Sequence, residues 1–67
     1  MTPEELSRLT LLMRQVLTDA LRDPHALDPG RTGKNTRDAL IRRGLVRLVN
    51  GQWRLTAEGV DAARWLQ

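Results

Sequence analysis

The 67-residue sequence contains no Cys, no Phe, no Tyr and a single His. Without Cys there can be no disulfide, and one His without Cys cannot form a structural zinc site. No apolar run approaches the roughly 18 residues of a membrane span, and the N-terminus lacks the basic flank and apolar core of a signal peptide. The sequence therefore predicts a soluble cytoplasmic protein that needs no metal and no cofactor.

Groups that could carry catalysis are also scarce. His25 is the only His, and it lies in a segment flanked by proline. No carboxylate pair or Ser recurs with it at a spacing useful for acid–base or nucleophilic chemistry. We therefore expect no catalytic residues and no enzyme activity.

The length predicts one domain, spanning residues 1–67. A core of this size usually contributes no more than ~3–5 kcal/mol to folding. Because disulfide bonds and structural zinc sites are excluded, oligomerisation is the expected source of additional stability.

Positive charge is concentrated in one block of the chain. Residues 31–54 contain seven Lys and Arg against Asp38 alone, a net charge of +6, whereas residues 1–30 sum to −2. Such a block favours a surface that faces a polyanion, with a merely solvated surface as the alternative. Ten of the eleven basic residues are Arg, which is typical of a GC-rich coding sequence and suggests a bacterial or phage origin.

A first helix is predicted over residues 3–22. Thr2 and Pro3 give an N-cap and a first helical position, and apolar residues then recur at helical spacing. The apolar side chains cover about half of the helix circumference, which is wider than a surface helix needs. Leu11 lies outside even that arc. The helix is either buried against several elements or forms a dimer interface.

Residues 24–34 hold two Pro and two Gly, too many for more than one helical turn, so we expect a connection with a short extended piece around residues 26–27. A second helix is predicted over residues 36–43, with Asn35 or Thr36 as its cap. Gly44 would then adopt a left-handed conformation, and Leu45 would fold back onto the helix.

Asn50-Gly51 lies between two runs of alternating polarity, a pattern typical of a hairpin with a two-residue type I′ turn. The turn predicts strands at 46–49 and 52–55, with a register that pairs Leu48 with Trp53. Two faces follow from the alternation of side chains. The core face is predicted to hold Val46, Leu48, Trp53 and Leu55, and the polar face Arg47, Val49, Gln52 and Arg54. Thr56 then caps a closing helix over residues 57–66.

Residues 40–46 (LIRRGLV) and 53–59 (WRLTAEG) carry a resemblance to a known family. They look like the exit of the recognition helix and the return from the wing in winged-helix DNA-binding domains, notably the MarR-like and PadR-like bacterial regulators. The resemblance covers about residues 35–66 and implies a mainly helical winged-helix domain. Because residues 24–34 are so broken, the helix-turn-helix is shortened.

The resemblance implies that the second helix enters the major groove of double-stranded DNA. Its side chains expected to be exposed are Asn35, Arg37, Asp38, Ile41 and Arg42. Arg suits guanine edges and Asn suits adenine edges, and the start of the helix suits a phosphate. The wing would add contacts to the DNA backbone or minor groove. The predicted DNA-binding residues are Arg31, Lys34, Asn35, Arg37, Arg42, Arg47, Gln52 and Arg54.

These observations predict a small sequence-selective DNA-binding protein, a transcriptional regulator that acts as a homodimer. The predicted dimer interface comprises Leu11, Leu12, Val60 and Trp65. The alternative is a winged-helix module that binds another protein and no DNA, because a fold alone does not define its partner.

Overall fold

A computed structural model describes residue 4 and residues 7–67. Its elements follow in the order α1 (Leu11–Arg22), a 3₁₀ helix (Pro24–Leu27), α2 (Lys34–Arg42), β1 (Val46–Val49), β2 (Gln52–Leu55) and α3 (Ala57–Leu66). The predicted fold class, mainly helical with a small antiparallel hairpin, is confirmed.

The predicted first helix over residues 3–22 is interrupted: Glu4 and Ser7 are helical, residues 8–10 are not, and α1 begins at Leu11. Thr10 has an extended backbone with ψ 161°, and its hydroxyl accepts a hydrogen bond from the Met13 N–H at 3.1 Å. The Thr10 hydroxyl thus replaces a backbone carbonyl as the acceptor for this N–H. Thr10 is therefore the N-cap at which α1 begins. The predicted start at Thr2 and Pro3 lies outside the described residues.

The connection begins with one turn of 3₁₀ helix, and the extended piece predicted at residues 26–27 is wrong. The Asp23 carboxylate accepts from the His25 N–H at 3.0 Å, and Pro24 occupies the first helical position. This cap and proline are a local start signal for a helix. The turn buries Ala26 and Leu27 in the core.

Helix α2 starts two residues earlier than predicted, since Lys34 is its first residue and Gly33 its N-cap. No side chain caps it, so neither Asn35 nor Thr36 plays the predicted capping role. Its end follows the prediction: Gly44 has φ 74°, and its N–H donates to the Ile41 carbonyl at 2.9 Å. The Leu45 N–H donates to the Leu40 carbonyl at 3.0 Å, and this pair of bonds defines a Schellman motif.

The hairpin has the predicted boundaries and register. Leu48 lies opposite Trp53, and both central turn residues have positive φ, 51° at Asn50 and 78° at Gly51. These angles are those of a type I′ turn. The predicted core face is only partly correct, because Val46 is buried whereas Leu48 is 56% exposed. The Val46–Leu55 pair lies at the base of the hairpin. Leu48 is on the same face but lies two residues closer to the turn.

The core lies between α1 and α3 and is closed by the 3₁₀ helix, α2 and the base of the hairpin. Its largest fully buried side chains are Leu17, Leu27, Leu40 and Leu45. Helix α3 approaches the chain around Leu45 so closely that a Cβ on Gly59 would overlap the Leu45 carbonyl oxygen. Glycine at position 59 therefore allows the hairpin base and α3 to share one core. Within the described part of the chain, no helix is both long enough and apolar enough to cross a membrane.

Candidate nucleic-acid interface

Helix α2 presents a polar face at its N-terminal end. Lys34 and Asn35 are exposed in the first turn, and Arg42 is exposed two turns later on the same face. Asp38 lies between them and is half-buried, as is Ile41, which packs against the core. Because Gly33 offers no side-chain cap, the first N–H groups of the helix have no such partner. These N–H groups and Lys34 together give this end of α2 a positive potential.

The polar face of the hairpin carries two arginines directly opposite each other. Arg47 pairs with Arg54 in the strand register, and both side chains are exposed. Arg54 Nη2 donates to the Gln52 side-chain oxygen at 2.6 Å, which orients its guanidinium along the strand. Like charges that face each other across two strands reduce stability. An anion that contacted both guanidinium groups would relieve that repulsion.

Arg31 is already engaged within the protein. Its Nη1 lies 2.6 Å from Asp23 Oδ2, and both side chains are about half exposed. The hydrogen bond from Arg31, helped by the bond from the His25 N–H, lowers the pKa of Asp23 below its usual value. The same ion pair raises the pKa of Arg31. Arg31 therefore contributes less free positive charge to a ligand than the sequence suggests.

The expectation that Arg37 is exposed is wrong, because its side chain is only 9% exposed. Its Nη1 donates to the Thr32 carbonyl at 3.1 Å, and its Cζ lies 5.1 Å from the centroid of the Trp53 ring. Helical spacing explains the burial, since Arg37 precedes the fully buried Leu40 by three residues and shares its face. A guanidinium in this position is not available to a base edge.

The remaining cations of residues 31–54 form what we call the basic surface. All five are exposed, and none has an ion pair with a described residue. They are Lys34, Arg42, Arg43, Arg47 and Arg54. Four of them are predicted DNA-binding residues. Arg43 was not among the predicted DNA-binding residues. The sequence feature that could have indicated it is the Arg42-Arg43 pair before Gly44.

The residues predicted for a dimer interface lie on α1 and α3, which pack against each other. Leu11 is 80% exposed, Trp65 is 67% exposed, and Leu12 is also exposed. Leu11 lines a groove between the two helices together with Leu66. Val60, in contrast, is half-buried in a second groove beside Leu21 and Leu55, so it offers less free surface than Leu11, Leu12 and Trp65.

Sequence reasoning missed Thr32, a buried polar residue that links two parts of the structure. Its hydroxyl donates to the Ala26 carbonyl in the 3₁₀ helix, and its own carbonyl accepts from Arg37. Nothing in the pattern Gly-Arg-Thr-Gly-Lys predicts this burial.

Among the described residues there is no group of three or more His, Asp or Glu side chains placed to hold a metal ion.

Comparisons of the chain with protein-family models, with curated proteins and with solved structures gave no significant match.

Proposed function

We propose that this protein is a small sequence-selective binder of double-stranded DNA, a transcriptional regulator of bacterial or phage origin that acts as a homodimer. In this proposal the fold is a winged helix with a shortened helix-turn-helix. Helix α2 enters the major groove and the hairpin is the wing. Lys34 and the start of α2 bind a phosphate, and Asn35 and Arg42 face base edges.

The observation that carries the proposal is the pair Arg47 and Arg54. They lie opposite each other on an exposed strand face, without an acidic partner among the described residues. A protein that only needed solubility would gain nothing from placing like charges in direct register. A DNA backbone offers the closely spaced phosphates that such a pair can contact.

A second candidate function is a module that binds another protein. It is favoured by the exposed apolar side chains Leu11, Leu12 and Trp65. In the DNA-binding proposal, the same three side chains form the contact between the two copies. The two functions therefore differ in the role of the basic surface, which binds DNA in the first function and does not in the second.

The test is a titration of duplex DNA at several salt concentrations. If each protomer neutralises three to five phosphates, the slope of log affinity against log salt should be about −3 to −4.5. Arg47→Ala and Arg54→Ala should each weaken binding to all duplexes alike and flatten the slope by about one unit. Arg64→Ala is the matched control, because Arg64 is exposed on α3 outside the basic surface.

Sequence selectivity is tested separately with Asn35→Ala. If Asn35 contacts a base edge, its loss should cost roughly 1–3 kcal/mol on a preferred site and much less on random DNA. If the parent protein binds no duplex at low salt, or if both hairpin variants bind as the parent does, the DNA-binding proposal fails and the protein-binding module replaces it.

A further inference from the structure

Arg37 is a buried cation that lacks an acidic partner. It is 9% exposed, it forms no ion pair with a described residue, and its Nε–H has no hydrogen-bond partner among them. Burying a charge without a counter-ion opposes folding, and an apolar side chain of similar size often packs at such a position with equal or greater stability. Stability alone therefore does not account for an arginine at position 37.

The contacts that Arg37 does make join separate elements of the fold. From α2 its guanidinium reaches back to the Thr32 carbonyl in the connection and lies over the ring of Trp53 in β2. Thr32 is in turn hydrogen-bonded to Ala26 in the 3₁₀ helix. A planar guanidinium held by a directional hydrogen bond on one side and an aromatic face on the other allows few orientations. Apolar packing would fill the same space without fixing an angle.

We infer that Arg37 is a positioning residue that sets the orientation of the hairpin relative to α2. This inference rests on the proposed function, since its consequence is that Lys34 and Arg42 on α2 and Arg47 and Arg54 on the hairpin engage one duplex together. Arg37 touches no DNA in this arrangement. It acts by keeping the binding-competent orientation populated.

The first test uses the free protein and needs no DNA. Residual dipolar couplings of the backbone N–H groups of α2 and of residues 46–55 report the angle between the two elements. We expect one orientation to fit the couplings of the parent protein. In Arg37→Met, which keeps a flexible unbranched side chain and removes the cation, the hairpin couplings should shrink relative to those of α2. Arg64→Met is the matched control, because Arg64 is exposed on α3 and lies outside the basic surface.

The second test measures duplex affinity against salt for the same variants. If the competent orientation falls to a tenth of the population, Arg37→Met loses about tenfold in affinity. Its salt slope should stay that of the parent, because no phosphate contact is lost. An unchanged slope with lower affinity separates a positioning role from a phosphate contact. Arg37→Lys keeps a cation over the ring and should recover part of the affinity.

The couplings and the affinities together decide whether the inference about Arg37 stands. Hairpin couplings in Arg37→Met that equal those of the parent overturn the inference, whatever the DNA result. Altered couplings with parental affinity also overturn it, because orientation would then not matter for binding. If Arg37→Met does not fold, Arg37→Gln, which removes the charge and keeps a polar side chain, is compared with the parent, and identical couplings and affinity overturn the inference. If the parent binds no duplex but Arg37→Met still loses the hairpin orientation, the proposed function has failed and the orienting role of Arg37 stands.

Discussion

The hydroxyl of Thr56 donates a hydrogen bond to the Gly44 carbonyl at 2.6 Å. The same oxygen accepts from the Gly59 N–H at 3.0 Å and so caps α3, as the sequence predicts. The Thr56 N–H also donates to the Leu45 carbonyl at 3.0 Å. One residue therefore joins the end of α2 to the start of α3 and closes the base of the hairpin.

Replacing Thr56 should destabilise the protein through both side-chain bonds. Thr56→Val keeps the shape and removes the hydroxyl, so the cap of α3 and the bond to Gly44 are lost together. We expect a loss of about 2 kcal/mol in the free energy of unfolding, measured by urea denaturation. Thr56→Ser keeps the hydroxyl and is the control. Equal stability of the Val and Ser variants would contradict this account.

The hairpin turn should depend on glycine at position 51. Gly51→Val places a β-branched residue at φ 78° and should cost roughly 1–3 kcal/mol, more than any charge change on the hairpin. Gly30→Val is the control, because neither Gly30 nor Gly51 has a heavy atom within 4 Å of an added Cβ and only Gly51 has a positive φ. Thermal melting compares the two. If Gly51→Val melts with the parent, the turn does not constrain the fold.

The ion pair of Asp23 with Arg31 should make stability depend on pH. Because the pKa of Asp23 in the folded protein lies below its ordinary 3.8, the ionised carboxylate favours folding. This contribution is present above about pH 4 and is lost as the pH falls through the lowered pKa. Asp23→Asn should melt below the parent at neutral pH, and the difference should vanish in acid.

The control for this pH dependence is Asp61→Asn, because Asp61 is exposed and has no ion pair with a described residue. It should melt with the parent across the whole pH range. A gap between Asp23→Asn and the parent that persists unchanged in acid would mean that the side-chain charge is not the cause.

The homodimer should depend on the apolar side chains exposed on α1 and α3. We expect sedimentation at ~100 μM to give a dimer and the melting temperature to rise with concentration. Leu11→Glu or Trp65→Glu should give a folded monomer. Leu48→Glu, at an apolar residue that is also exposed but lies on the hairpin, should remain a dimer. A compact parental monomer whose melting temperature is independent of concentration would end the dimer proposal.

The parts of the fold that follow from the sequence are those set by neighbours along the chain. Asn50-Gly51 specifies a type I′ turn, and a two-residue turn leaves one register for the strands beside it. Gly44 ends α2 for an equally local reason, since it accepts a positive φ and completes the Schellman motif with Leu45. One part of the candidate site was predictable for the same reason, because that register places Arg47 opposite Arg54.

The rest was decided by contacts between residues far apart in the chain. Arg37 looks like a solvated charge until α2 packs against the hairpin and brings Trp53 over its guanidinium. Leu48 has the alternation of a core residue, but the core buries Val46, half-buries Trp53 and Leu55, and leaves Leu48 in solvent. The sequence alone determined turns, caps and register, because these depend on local backbone geometry. Tertiary structure alone decided which members of each face are buried, because burial depends on where the core ends.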